Sequence, residues 1–441
     1  MRKKKRISRG KLQNLIGPTA DLLKYVFVAV MGVLLMFAGA FLSFQQPLRR
    51  LFSRIGQDWD TNLNKLFPSA DPLQVTHFLG GLLLFAGGYG VYRGVRAFFV
   101  RLDSERSNNG KNKMVSGFLK RQQLARGPKI VALGGGTGLS TLLRGLKQHS
   151  SNITAIVTVT DDGGSSGRLV QDLGIIPPGD MRNCLVALAD AEKRMTDLFQ
   201  HRFGKGSGAL TGHSLGNLLI AGFVEQAGGD VDKALTLASE VLAIRGRVLP
   251  STTQHVTLKA LMEDGSELEG ESAIVNSELK VRRIFLCPSE VRAHAEAIEA
   301  IKNADLICMG PGSVFTSVVP NLLVPGIANA LVESEATKVY VCNVMTQSGE
   351  SEGFTAAEHI VAIQANVDQK VFDYILVNTE SPSTSLLERY RAEGQEFVHP
   401  DVDRIRQMGY KAVVGNFMSE TDLVRHDPAR VAAKLVDLLY R

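Results

Sequence analysis

The chain is predicted to be an α/β protein: a Rossmann-like, doubly wound, mainly parallel sheet with a β-hairpin insertion, preceded by two transmembrane helices. Three features of its 441 residues lead there. Short β-branched apolar runs alternate with helical patterns from residue 129 onward, which is how a parallel sheet covered on both faces reads. Two of those runs end in glycine-rich loops, Gly134–Gly138 and Asp161–Gly167, as in βαβ units that carry a ligand. Two long uncharged apolar stretches come first.

Charge divides the chain in the same place. Residues 1–129 hold 22 Lys and Arg against 6 Asp and Glu, which leaves 28 against 38 for the rest. The acidic C-terminal part argues against nucleic acid as a partner, although the pI of about 9.0 first suggests it. Tyr25–Leu48 provides 24 consecutive uncharged residues and Pro72–Tyr92 a further 21. Each reaches the ~20 apolar residues that cross a bilayer. Gly80, Gly81, Gly87 and Gly88 would let the second helix pack closely on the first. The first run is too long for a signal-peptide core and lacks a cleavage site. Seven basic residues between Arg2 and Lys11 precede the pair, and Arg93, Arg96, Arg101 and Arg106 follow it. Basic residues between the two runs are fewer and are offset by Asp58, Asp60 and Asp71. The expectation is a multi-pass plasma-membrane protein with both termini and the large domain cytoplasmic.

The predicted organisation is a basic segment and membrane hairpin over 1–101, a polar basic linker over 102–128, and a globular domain over 129–441. Strands are expected at Ile130–Leu133, Ile153–Thr160, Arg283–Leu286, Leu306–Met309, Lys338–Cys342, Tyr374–Val377 and Ala412–Val414. Val256–Ile274, with Glu263-Asp264-Gly265-Ser266 at its centre, reads as the hairpin insertion. Cys184, Cys287, Cys308 and Cys342 are widely spaced without metal-site partners and read as reduced core residues.

The chemistry should lie in the loops. Gly134-Gly135-Gly136-Thr137-Gly138 follows a strand and opens a helix, where backbone N–H groups can hold a phosphate. A plain tight turn would need fewer glycines. No Gly-Lys-Ser/Thr follows, so this is not a Walker A loop; Leu139 stands where a dinucleotide fingerprint requires glycine. Asp161 and Asp162 suit a ribose hydroxyl or Mg²⁺, with a simple Asx-turn as the bland alternative. Asp180 reads as a helix N-cap, and Arg182 and Asn183 in the first turn place basic charge where an anion would relieve it. His213, Ser214 and Asn217 gather polar groups before another helix, although a nucleophile pair between sequence neighbours rarely has the required geometry. Gly310, Gly312 and Ser313, and then Asn343, stand at two more strand ends, where open α/β sheets bind ligands.

Together these motifs resemble the YvcK-type gluconeogenesis factor family, grouped with the CofD-like proteins that include 2-phospho-L-lactate transferase. The likeness is carried by G-G-G-T-G-L-S at 134–140, T-D-D-G-G-S-S-G-R-L at 160–169, P-P-G-D-M-R-N at 177–183 and G-H-S-L-G-N-L at 212–218. It continues through G-P-G-S-V-F-T-S at 310–317 and C-N-V-M-T-Q at 342–347. It covers 129–441 and does not extend over 1–128. The resemblance implies a UDP-sugar ligand such as UDP-N-acetylglucosamine, held in part by Tyr390 and Arg425. It further implies a role in gluconeogenic growth and in cell-wall or shape control, with homo-oligomers and morphogenesis proteins as partners. A CofD-like transferase with Asp161 and Asp162 on a metal is the alternative reading. An NAD(P)-dependent oxidoreductase falls to the broken fingerprint.

Overall fold

The computed structural model describes residues 27–40, 65, 71–104, 122–420 and 423–440. The chain divides into two compact units, Met1–Leu119 and Lys120–Arg441.

In the first unit Phe27–Ala40 and Pro72–Ser104 are helices. Among the described residues, Gln74–Arg96 is one helix long and apolar enough to cross a membrane, and Phe27–Ala40 is a shorter apolar one. The rest of the first apolar stretch, and the charges expected between the two apart from Lys65 and Asp71, lie outside the described residues. Glycines bring the helices together: a Cβ on Gly87 would sit 2.6 Å from the Gly32 carbonyl oxygen, and one on Gly39 2.7 Å from that of Gly80. Only half of the expected small-residue set takes part, since Gly81 and Gly88 face open space. The outer surface is apolar, with Phe37, Phe78 and Phe85 each at least 70% exposed.

The second unit is built on seven parallel strands: β1 (Ile130–Gly134), β2 (Ile153–Val157), β3 (Arg247–Pro250), β7 (Leu306–Met309), β8 (Thr337–Val341), β9 (Tyr374–Asn378) and β10 (Lys411–Gly415). Their order is β10-β9-β8-β7-β1-β2-β3. The chain winds outward from β1 through β2 to β3, returns to β7 on the other side of β1, and continues to β10. β1 and β7 therefore flank the switch point, the crevice where such sheets hold ligands.

Alternation along each strand fills two cores. Val131 and Leu133 join Ile307, Met309 and Tyr340 on one face. Ile130 and Ala132 join Ile153, Cys308 and Val341 on the other. Both faces are covered, so the strands are apolar throughout.

The remaining strands form two small sheets. β4 (Thr257–Met262) and β5 (Glu267–Glu269) are the expected hairpin. β6 (Val281–Cys287) pairs antiparallel with β4 instead of joining the main sheet, which corrects the expectation at 283–286. Its exposed Arg282 and Arg283 could not enter a sheet buried on both faces. β3 was not anticipated. It is four residues long, ends in proline and sits at an edge, where a missing N–H is tolerated. β11 (Met418–Glu420) and β12 (Val424–His426) form a ribbon beyond β10. Residues just before 129 pack on the globular unit: Leu124 is buried, and its carbonyl accepts from the Ser151 N–H at 2.9 Å.

Candidate ligand site at the switch point

The first glycine loop leaves β1 at Gly134 and turns directly into the helix Gly136–Leu146. Gly136 has φ +61°, which an L side chain rarely adopts. Gly138 lies against the loop after β7: a Cβ there would come within 2.2 Å of the Pro311 carbonyl oxygen. The side-chain-free loops of β1 and β7 thus meet across the crevice. Asn343, after β8, fixes the second loop with a reciprocal pair, accepting from the Gly312 N–H at 3.1 Å and donating to its carbonyl at 2.8 Å. Buried Asn321 donates to the Gly134 carbonyl at 3.1 Å. Ser313 caps the turn Val314–Val318 and also donates to Glu350, so its hydroxyl is already engaged.

A cavity of about 260 Å³ opens between these loops, lined by Thr137, Gly138, Gly312, Asn343, Tyr390 and Arg425 among others. The two residues singled out by resemblance, far downstream in the chain, therefore face the first glycine loop. Arg425 is exposed on the β11–β12 ribbon, free to reach an anion in the cavity. Tyr390 is only 9% exposed and packs with Val344, Met345, Met418 and Val424. Its hydroxyl accepts from the Val424 N–H at 3.0 Å. It thereby fixes the ribbon that carries Arg425, besides lining the cavity. A larger cavity of about 450 Å³ lies around the opposite, amino ends of β1 and β2, away from every glycine loop.

The second loop is crowded. Asp161 accepts from the Gly163 N–H at 3.0 Å, forming the Asx-turn. Asp162 accepts from Ser272 N–H at 2.9 Å and Ser272 Oγ at 2.7 Å, which ties this loop to the segment after the hairpin insertion. The two carboxylates diverge, and no group of three or more metal-type side chains is arranged around an ion site among the described residues. Asp180 does not cap its own helix, Pro178–Leu188, whose N-cap is Pro177. Its carboxylate instead accepts from the Gly136 N–H, an internal anion at the mouth of the first glycine loop. Burial is the main cause that raises its pKa to about 6.

Arg182 is buried, and its guanidinium donates to Ser214 Oγ (2.6 Å), Asn217 Oδ1 (2.9 Å) and Asn183 Oδ1 (2.9 Å). Asn183 and Ser214 therefore hold Arg182. His213 contacts Ser165, whose Oγ lies 3.0 Å from His213 Nδ1. Sequence reasoning missed Ser165, Glu271 and Glu350. Burial first, then Asp161, Asp180, Glu350 and Asp162, push Glu271 up to about 9. Burial likewise pushes Glu350 up to about 7. Both glutamates lie in polar loop-like text, E-G-E-S and S-G-E-S, which gives no sign that the fold will bury Glu350 and half-bury Glu271.

A doubly wound sheet whose bare glycine loops meet at the switch point defines a Rossmann-like α/β protein with a candidate ligand site there. The sequence pattern of the family described as 2-phospho-L-lactate transferase CofD matches residues 130–418, and the chain belongs to that family. Within it, the chain falls with the gluconeogenesis factors. It is 48% identical to the gluconeogenesis factor of Bacillus subtilis over 71% of this chain and 98% of that one. A Nostoc protein provisionally given the same designation is 44% identical over 96% of this chain and 91% of its own length. That alignment takes in most of the N-terminal unit, so the likeness extends beyond the 129–441 expected from motifs. The crystal structure of a UPF0052-family protein from Bacillus halodurans shares the fold with a TM-score of 0.67 and 46% identity, covering 70% of this chain and 99% of that one.

Proposed function

We propose that this protein is a UDP-sugar-binding regulator of the gluconeogenesis-factor type, tethered to the cytoplasmic face of the plasma membrane and acting on cell shape. The observation that carries the reading is the cavity in which Thr137, Gly138 and Asn343 face Tyr390 and Arg425. Bare backbone on one wall suits a diphosphate, Arg425 supplies a charge-assisted donor, and the Tyr390 edge offers an aromatic surface. The apolar outer face of the helical unit supports the tether. Binding of UDP-N-acetylglucosamine to the full chain in detergent, followed by calorimetry, tests the ligand. Arg425→Ala should weaken binding by about 30-fold or more, as loss of a charge-assisted pair does; unchanged affinity would sink the reading. For the tether, a cysteine at position 69 should label from outside intact cells.

A metal-assisted transferase is the second reading. It is favoured by the neighbouring carboxylates that, after burial, raise the proton affinity of Glu271 and of Asp180. A cation would relieve that repulsion, so Mg²⁺ should raise the melting temperature at pH 8, and Asp161→Asn should diminish the effect.

A further inference from the structure

Ser165 stands second in the helix Gly164–Leu173, directly after the loop that leaves β2. Its neighbours form an ordered chain of hydrogen bonds. Arg182 can only donate, so the Asn217 oxygen must face it, at 2.9 Å. The Asn217 amide group is thereby turned to Ser165, donating to Oγ at 3.1 Å. Ser165 Oγ lies 3.0 Å from His213 Nδ1, and with the imidazole proton on Nε2 the serine hydroxyl donates to it. That tautomer leaves Nδ1 as the acceptor a general base requires. Ser165, His213, Asn217 and Arg182 are all buried, so the order of the chain is shielded from water.

Cations gather here, with the carboxylates of Asp180 and Asp161 acting on Arg182 from nearby without a hydrogen bond to it. Arg182 Nε is buried without a partner. Exposed Arg202 donates to the Gly212 carbonyl at 3.0 Å, and Arg168 Nη2 lies 3.2 Å from where a Gly212 Cβ would be. The first N–H groups of the helix Gly164–Leu173 have no partner within it. Gly163-Gly164-Ser165-Ser166-Gly167 also has the spacing of a G-x-S-x-G nucleophile turn between strand and helix. One feature departs from that turn: the positive φ falls on Gly164 and not on the serine.

We propose that Ser165 is a nucleophile, with His213 as its general base, for an anionic phosphoryl electrophile of the phosphoric-anhydride class. Ser165 Oγ attacks phosphorus and forms an O–P bond, the bridging P–O bond breaks, and the leaving group departs as a phosphate. The serine proton passes to His213 Nδ1. Arg182, Arg168 and the helix N–H groups offset the charge on the phosphoryl oxygens. The site is separate from the residues that line the UDP-sugar cavity, and the inference does not depend on that ligand.

A fluorophosphonate probe, which loses fluoride to an activated serine, tests this on the full chain in detergent. Wild type should label once, at Ser165 by peptide mapping, and inorganic pyrophosphate should slow the labelling. Ser165→Ala should abolish it, and His213→Gln should slow it by about 100-fold or more, the usual worth of a general base. Burial and Arg168, against the smaller opposing effect of Asp172, hold His213 below its ordinary 6.5. Labelling should accordingly be level through neutral pH and fall only on acidification below that value. Absence of labelling, a label elsewhere, or equal rates in wild type and His213→Gln would overturn the proposal. Indifference to pyrophosphate would overturn the anionic class of electrophile. Should Ser165→Ala fail to fold, the mapped label and the His213→Gln rate still decide.

Discussion

The loops after β1 and β2 look alike in sequence, each glycine-rich and each leading from a strand into a helix. In the structure, Gly134–Gly138 faces the equally bare Gly310–Gly312, and a cavity opens between them. Asp161–Gly167 faces Ser272, His213 and Asn217, and its side chains are spent on internal hydrogen bonds. The open cavity forms where the opposing segment also lacks side chains. Where the opposing segment is polar, the loop becomes part of a buried network whose members hold one another in place.

The largest effect should come from the crowded side. Arg182→Leu removes the donor shared by Ser214, Asn217 and Asn183, and should cost about 3–5 kcal/mol in denaturant unfolding. If UDP-N-acetylglucosamine binding by the folded fraction survives, the two loops are energetically separate. On the open side, Gly138→Ala drives a Cβ into the Pro311 carbonyl and should cost about 2–3 kcal/mol, with the cavity distorted. A neutral result would mean that the two bare loops do not meet. Asn343→Ala should cost about 1–2 kcal/mol, since it leaves both polar groups of the Gly312 backbone without their partner.

A further effect concerns pH. The folded state holds the Glu271 proton up to about 9 against an ordinary 4.5. Folding therefore takes up a proton between those values, so this group's contribution to stability is present below 4.5 and is lost progressively as pH rises toward 9. Glu271→Gln should flatten the decline of melting temperature across that window. An unchanged slope would show that the carboxyls do not crowd one another.

Residue type and spacing made the sheet largely legible. Strands buried on both faces must be apolar throughout, and Leu306–Met309 matches its expected limits to the residue. Glycine loops at strand ends and the hairpin turn at Asp264-Gly265 are local features with local causes. The failures share a cause as well. β6 left the main sheet because two adjacent arginines needed solvent, and the Asp180 carboxylate turns to the Gly136 N–H of a much earlier helix. Neither partner is near in sequence.

The amino-acid sequence by itself determined the fold class, the apolar character of the N-terminal helices and the positions of the glycine loops. These follow from periodicity and conformational freedom, which act over a few residues. The tertiary structure alone decided which loop stays open, that Tyr390 fixes the Arg425 ribbon, and that Ser165 meets His213. Those outcomes depend on distances between segments tens to hundreds of residues apart, which the winding of β1 and β7 around the switch point sets.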